Sequence, residues 1–325
     1  MSALTFRALR RLADGRFHSG EDIARDLGRS RATLSEALKC ASALGLELHS
    51  VRGRGYRLAE PLEFLDLGEV SDALGPAAAR IRVEVLDEID STSTSLLQRG
   101  AAGAPSGTCL AAEWQSAGRG RRGRPWFSSL GGSLTFSLLW RFERGAGHLG
   151  GLSLAAGAAV AQALADAGLE RVQVKWPNDI VVDFRKLAGI LVETSGEMQG
   201  PSVAVIGVGV NYRLPERIVE KIDQPVIDVV HVAARPPSRS RLLGAILARL
   251  AVALDSFEQH GFSASRAGWR ALHAYQGRRV RVTPARDPAF DAEVVDVAAD
   301  GALVVATPAG RVHLSSAEIT LRGKR

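Results

Sequence analysis

The run Val203 to Val210, VAVIGVGV, carries no polar side chain at either parity. A strand with one solvated face alternates apolar and polar residues, so this run must be covered on both faces. The chain is therefore expected to build a mixed sheet with helices packed on it. Other segments suit the same sheet. Ile81 to Val85 alternates cleanly, Thr108 to Glu113 and Ser133 to Trp140 have strand character, and Leu187 to Val192 is a further apolar strand. Between them, Val172 and Val174 lead into a hairpin around Lys175 to Ile180. Leu149 to Ala167 is a small-residue helix suited to lying close on a sheet. Leu242, Leu243, Ile246, Leu250 and Leu254 line one face of a long helix over Arg239 to His260.

Both ends of the chain have a different pattern. Ser19, with Asp22 three residues on, caps a helix whose Ile23, Ala24 and Leu27 face inward. Gly28 breaks it, and Ser30 opens a second helix with Leu34, Leu38, Ala41 and Leu44 at helical spacing. Two helices on a tight glycine turn make a helix-turn-helix. Leu46 and Leu48, then Tyr56 and Leu58, alternate around Arg52-Gly53-Arg54-Gly55, a hairpin with a basic tip that predicts the wing of a winged helix. From Gly28 to Arg57, Arg29, Arg31, Lys39, Arg52, Arg54 and Arg57 face only Glu36 and Glu47. That surplus sits where a recognition helix and wing meet a DNA backbone. Arg31, Thr33 and Ser35 are the expected base readers, with Arg29, Lys39, Arg52 and Arg54 beside the phosphates. A winged helix used for protein contacts is the other reading of the same residues. At the far end, Arg279 to Val282, Ala292 to Val297, Ala302 to Thr307 and Arg311 to Leu321 are short strand segments joined by glycine turns. They predict a small SH3-like β-barrel. The expected organisation is α+β: a winged helix-turn-helix over 1–62, a linker over 63–79, a central domain over 80–270 and an SH3-like domain over 271–325.

Composition narrows the partners. A formal charge of +6 allows nucleic acid or anionic small molecules. The two cysteines, Cys40 and Cys109, stand far apart and outside any metal-like cluster, so no zinc site is expected and the cytoplasm is the simpler compartment. The first residues lack a signal-peptide core, and no uncharged apolar run reaches membrane-spanning length, so no membrane association is expected.

The central domain carries its polar chemistry in a few places. Gly118 to Arg124 holds four arginines and three glycines within seven residues. Glycine lets a backbone approach a ligand closely, and arginine offers a rigid fork of donors for phosphate or carboxylate. The loop suits either an anion clamp or a solvated basic turn. Ser91-Thr92-Ser93-Thr94-Ser95 opens a helix, where hydroxyls and free N–H groups serve as caps or as ligand contacts. Lys186 starts a buried apolar strand, which is costly for an unpaired charge unless it is exposed there or faces an anion. These groups, with Lys175 and Asn211, are expected to converge at one edge of the sheet.

Taken together, GRGRRGRPW (118–126), KWPNDI (175–180), RKLAGILVE (185–193) and GVGVN (207–211) resemble the biotin–protein ligases. Any one of these motifs is weak; four in this order are specific. The winged helix ahead of them, with SGEDIARDLGRSRATL (19–34) and RGRGY (52–56), resembles that of the bifunctional members that also repress biotin biosynthesis genes. The resemblance covers nearly the whole chain. It implies a class II synthetase-like central domain and the activity of a biotin–[acetyl-CoA-carboxylase] ligase. Biotin and ATP, with Mg2+, would give biotinyl-5′-adenylate and pyrophosphate. The biotinyl group would then pass to a lysine of the biotin carboxyl carrier protein. Operator DNA and a ligand-promoted homodimer are the further partners implied.

By the same resemblance, Arg121 and Lys186 are the catalytic pair, set against adenylate phosphate or biotin carboxylate. Ser91, Thr92, Ser93 and Gln115 are biotin contacts, together with Arg119, Gly120, Arg121 and Lys186. Arg119 to Arg121 belong to a loop expected to close on ligand, while Arg122 and Arg124 support the loop or a dimer surface. Lys175, Asn178, Asp179 and Asn211 lie in motifs near the nucleotide, with a plain turn role as the alternative for Asp179. The chain departs from the family pattern twice. Ser93 stands where Asn is common, with a shorter reach. Pro225-Val226 stands where some members place a Trp over adenine, and Val226 can pack there but not stack. Rival functions are a monofunctional ligase with a non-repressing winged helix, a non-enzymatic biotin-sensing transcription factor, and, more distantly, a lipoate-type ligase.

Overall fold

The computed structural model describes residues 2–197, 199–284, 288–315 and 319–323. The first module contains α1 (Ala3–Arg11), α2 (Gly20–Asp26) and α3 (Arg31–Leu38), then the hairpin β1 (Leu48–Val51) and β2 (Gly55–Leu58). Its caps are those the sequence predicts: the Ser19 hydroxyl accepts from the Glu21 and Asp22 amides, and the Ser30 hydroxyl from that of Thr33. The second helix is shorter than its apolar spacing implies. After Leu38 it tightens into a 3-10 turn, Lys39–Ser42, and Leu44 lies beyond it although fully buried. Phe6, Leu9, Leu12, Ile23, Leu34 and Leu38 form this module's core.

Residues 63–79 are not an extended linker. They hold α4 (Leu67–Leu74), capped by Asp66, and a 3-10 turn. Val70 and Leu74 of α4 are buried in the core of the central domain. The amphipathic spacing is short here, and Pro76 follows closely, which hides the helix in the sequence.

The central domain continues with β3 (Arg82–Ile89), α5 (Thr92–Ala101), β4 (Thr108–Gln115), β5 (Ser133–Phe142), α6 (Leu152–Asp166), β6 (Gln173–Lys175), β7 (Asp179–Val182), β8 (Arg185–Gly196) and β9 (Ser202–Asn211). Two one-turn helices, α7 (Glu216–Val219) and α8 (Val229–Val232), precede the long α9 (Arg239–His260) and α10 (Ser263–Leu272). The seven strands run in the order β3-β4-β5-β9-β8-β7-β6, parallel only between β3 and β4. Strand β9 sits at the centre and is covered twice, as its sequence requires. Ala204, Ile206, Val208 and Val210 face the main core beneath α6 and α9, while Val205 faces a smaller cluster with Leu96 of α5 and Leu110 and Leu139. None of the described helices is long and apolar enough to cross a membrane. The last module is an antiparallel sheet, β10 (Arg279–Pro284), β11 (Phe290–Val297), β12 (Leu303–Thr307), β13 (Gly310–Leu314) and β14 (Ile319–Gly323), in the order β13-β12-β11-β10-β14. It is the SH3-like unit the short strands predict.

The first module does not hang free. Leu130, in the bend before β5, is buried in the winged-helix core, and its amide donates to the Leu44 carbonyl at 2.9 Å. Arg217 donates to the Ser42 carbonyl at 2.9 Å, and Arg10 pairs with Asp87 at 2.5 Å. Below this joint lies a fully buried ion pair that the sequence did not flag. Arg239 Nη2 meets Glu113 Oε2 at 2.5 Å with both side chains 0% exposed. Glu113 Oε1 also accepts from the Leu65 amide at 2.6 Å, so β4, α9 and the start of α4 are tied at one point.

Candidate active site

A cavity of about 1200 Å3 opens on the α5 side of the central sheet. Its location differs from the sheet edge expected from sequence: it lies on the face, across β5, β9 and β8. The reason is in the strand sequences. Leu191 pairs with Gly207 and Gly189 with Gly209, so glycines clear the floor. A Cβ at Gly207 would stand 2.5 Å from Ser93 Oγ, and one at Gly209 would stand 2.5 Å from the Trp126 ring. The GVGVN run is thus glycine-rich because an indole and a helix start lie directly against its backbone.

One end of the cavity is hydroxyl and amide. Ser91 caps α5, and Ser91, Thr92, Ser93 and Gln115 are all buried. The Thr92 amide donates to Gln115 Oε1 at 2.8 Å. Thr92 Oγ1 and Ser93 Oγ both reach Ser137 Oγ, at 2.8 and 2.9 Å. Ser137 was missed in the sequence, where it is one small residue inside an apolar strand; the alternation of β5 toward α5 is its only signal. Ser93 keeps its hydroxyl in this network despite its short reach.

The middle of the cavity is cationic. The arginine loop is already folded: Gly120 donates to the Arg124 carbonyl at 2.7 Å and Trp126 to that of Gly118 at 2.8 Å. Arg121, half-buried, donates to Asn178 Oδ1 at 3.3 Å. Burial, and then the neighbouring Arg122 charge, pull the Arg121 pKa down, the direction an incoming anion would reverse. Arg119 also lines the cavity and pairs with Glu193 at 3.2 Å. Lys186 is neither exposed nor waiting on a ligand alone. Its Nζ lies 2.7 Å from Asp179 Oδ1, with both side chains under a fifth exposed, and 5.8 Å from the Trp126 ring centre. Asp179 is therefore more than a turn residue. Asn178 Nδ2 donates to the Ile190 carbonyl and Asn211 Nδ2 to those of Lys186 and Ile227, which fixes both amides. Lys175 lines the same cavity, as do Arg122 and Arg124. Every residue expected at the ligand site is thus brought to one cavity.

The outer end is formed by the third module and two turns. Tyr275, Arg278 and Arg279 line it from one side, Lys221 to Val226 from the other. Asp183 and Phe184 make the two-residue turn between β7 and β8, with φ of 50° and 61°. Such turns favour Asn-Gly or Asp-Gly, and a phenylalanine held there carries strain of about 1–3 kcal/mol. His273, stacked on Trp269 at 4.5 Å, accepts from the Trp176 amide at 3.4 Å and braces the KWPNDI turn from behind. Burial pushes its pKa down to about 4, so it is neutral. Among the described residues there is no cluster of three or more His, Cys, Asp or Glu side chains for a metal.

In the winged helix, Arg29, Arg31, Thr33, Lys39, Arg52 and Arg54 are exposed and Ser35 is half-buried. Arg54 lies 4.2 Å above the Phe17 ring, which steadies the wing tip, and Lys39 pairs with Glu36 at 2.6 Å.

Comparison with known proteins agrees with this arrangement. Residues 85–211 match the model of the biotin/lipoate A/B protein ligase family, residues 5–57 an HTH domain, and residues 275–322 the biotin protein ligase C terminal domain. The bifunctional ligase/repressor BirA of Salmonella typhimurium is 39% identical over 271 residues, 83% of each chain. The protein of that name from Bacillus subtilis is 27% identical over 310 residues, 95% of each. The biotin protein ligase from Aquifex aeolicus in complex with biotin and ATP superposes with a TM-score of 0.64 at 27% identity, covering 75% of this chain and 99% of that one. The chain belongs to the biotin protein ligase family and has the domain set of its bifunctional ligase/repressor members.

Proposed function

We propose that this chain joins biotin and ATP into biotinyl-5′-AMP, transfers biotin to a lysine of the biotin carboxyl carrier protein, and represses biotin biosynthesis genes through its winged helix. The observation that carries the reading is the graded cavity, with buried hydroxyl and amide groups at one end and Arg121 and Lys186 in its middle. Ser91, Thr92, Ser93 and Gln115 suit the ureido ring, a polar group with one carbonyl and two N–H groups. The carboxylate then lies toward Lys186 and Arg121. Step one drives that anion against the α-phosphate of ATP, and its transition state needs positive charge placed in advance. Lys186, held by Asp179 and the indole face, supplies it without reorganising. Asn178, Asp179, Asn211 and Lys175 receive the nucleotide. Mg2+ would offset triphosphate charge, and Asp179 is a cavity carboxylate that would help hold it. Gly120 and Arg119 close the loop and keep water from the mixed anhydride. In the second step the carrier lysine attacks the acyl carbon and AMP leaves, its phosphate still facing the same two cations.

For repression, Arg31, Thr33 and Ser35 read base edges while Arg29, Lys39, Arg52 and Arg54 hold phosphates. A palindromic operator would be matched by a two-fold dimer, which ligand closure of the loop favours. Radiolabelled biotin, ATP, Mg2+ and apo carrier protein test the enzyme: absence of label on the carrier refutes it. A gel shift on the biotin operator, with and without biotin and ATP, separates a repressor from a ligase that does not repress.

A further inference from the structure

The outer end of the cavity holds an aromatic group that none of the four motifs contains. Phe184 is 43% exposed and is the one aromatic among the exposed large hydrophobic residues described. It sits in a left-handed turn position that glycine favours. Its ring packs against Tyr275 at 5.4 Å, and the Arg278 guanidinium stands 5.0 Å from its centre. A strained, solvent-facing phenylalanine gains the fold little, and all three side chains line the cavity.

Strand register fixes where this group stands along a bound ligand. Ser93 touches β9 at Gly207, and Trp126 covers Gly209. Because β8 runs antiparallel to β9, pairing Leu191 with Gly207 and Gly189 with Gly209, its start lies at the end away from Ser93. Lys186 comes after Gly189 in that direction, and Phe184 comes beyond Lys186. Lys186 bridges Val226 in parallel, and its amide donates to the Pro225 carbonyl at 2.9 Å, so Phe184 lies alongside the 221–226 wall. A ligand laid with its ureido ring at Ser93 and its acyl phosphate at Lys186 carries its nucleoside past Lys186. There Val226 presents no π-face.

We propose that Phe184 is the purine-contacting residue of this site: its ring, backed by Tyr275 and Arg278, receives the base of ATP and of the acyl-adenylate. Aromatic rings bind bases by stacking, which needs an exposed face and tolerates a base without reading its edge. This rests on the ligase reading above. It also gives the third module a direct part in nucleotide binding, because Tyr275 and Arg278 hold the ring from that side.

The test uses the full chain with F184G and F184W, glycine being the residue this turn prefers, so the hairpin is kept. In biotin-dependent pyrophosphate–ATP exchange, F184G is expected to raise KM for ATP about tenfold. KM for biotin and for the carrier in label transfer should stay within twofold, and F184W should restore the wild-type KM for ATP. In F184W, titration with ATP should also quench the added indole. An unchanged KM for ATP in F184G overturns the proposal, and a raised carrier KM in its place assigns the ring to carrier docking. If wild-type protein labels no carrier and exchanges no pyrophosphate, the ligase reading itself falls and the proposal with it.

Discussion

Arg239→Met converts the buried ion pair into a lone carboxylate, and its cost can be worked out. Glu113 would keep only the Leu65 amide, since both side chains are 0% exposed and water cannot replace the guanidinium. Breaking such a pair costs about 3–5 kcal/mol. The carboxylate has one escape, which is to take up a proton. Relative to an ordinary glutamate at 4.5, holding that proton at pH 7 costs about 3.4 kcal/mol, so the charge part of the loss is capped there. At pH 5 the same cap is about 0.7 kcal/mol. The sign follows from linkage. Burial already pushes Glu113 up, and the variant pushes it further. A raised carboxyl loses stability as pH rises above 4.5, so acidification should rescue Arg239→Met. Glu113→Gln should show no such rescue, because arginine cannot shed its charge. The double variant Glu113→Leu with Arg239→Met should sit near wild type or above it. Urea unfolding followed by tryptophan fluorescence at pH 5 and pH 7 measures all four proteins. A loss below about 1 kcal/mol for Arg239→Met at pH 7, or a loss independent of pH, would refute the reasoning.

Three further outcomes are expected. Arg121→Ala should abolish pyrophosphate exchange while circular dichroism and Tm stay near wild type; retained exchange would remove Arg121 from the catalytic pair. Gly209→Ala drives a methyl to 2.5 Å from the Trp126 ring, so KM for biotin should rise roughly tenfold to a hundredfold, as overpacking of 1–3 kcal/mol implies. His273, with its pKa depressed from 6.5 to about 4, binds its proton more weakly folded than unfolded. Stability should therefore fall as pH drops below 6.5, by up to about 1.4 kcal/mol per unit until about pH 4, and His273→Phe should flatten that acid limb.

Much of this was legible in residues, and the failures share a cause. Strand β9 announced its own burial because apolar side chains at both parities admit one environment. Ser19 and Ser30 announced helix starts because capping is local chemistry. The residues expected at the ligand site were named through motifs, whose spacing holds them on strands and turns of fixed length. What escaped depends on partners distant in sequence. Glu113 gains its meaning from Arg239, 126 residues on, and Ser137 from Ser93, 44 residues back. Lys186 was read as either exposed or facing an anion, and Asp179 supplied one across a hairpin. The placement at an edge failed for a related reason: a glycine in a strand looks like weakness until the indole above it is known.

Leu130 carries a consequence for how such a chain can change through descent. It stands four residues beyond Trp126, which lies over the floor of the ligand cavity, yet it is buried among the leucines of the winged helix. Loss of the first module by deletion would leave that leucine in water, together with the half-buried Trp114. A lineage shedding its DNA-binding half would have to rewrite this patch, or bear an exposed apolar scar beside its arginine loop. The two modules are thus joined through a buried hydrophobic patch rather than strung together.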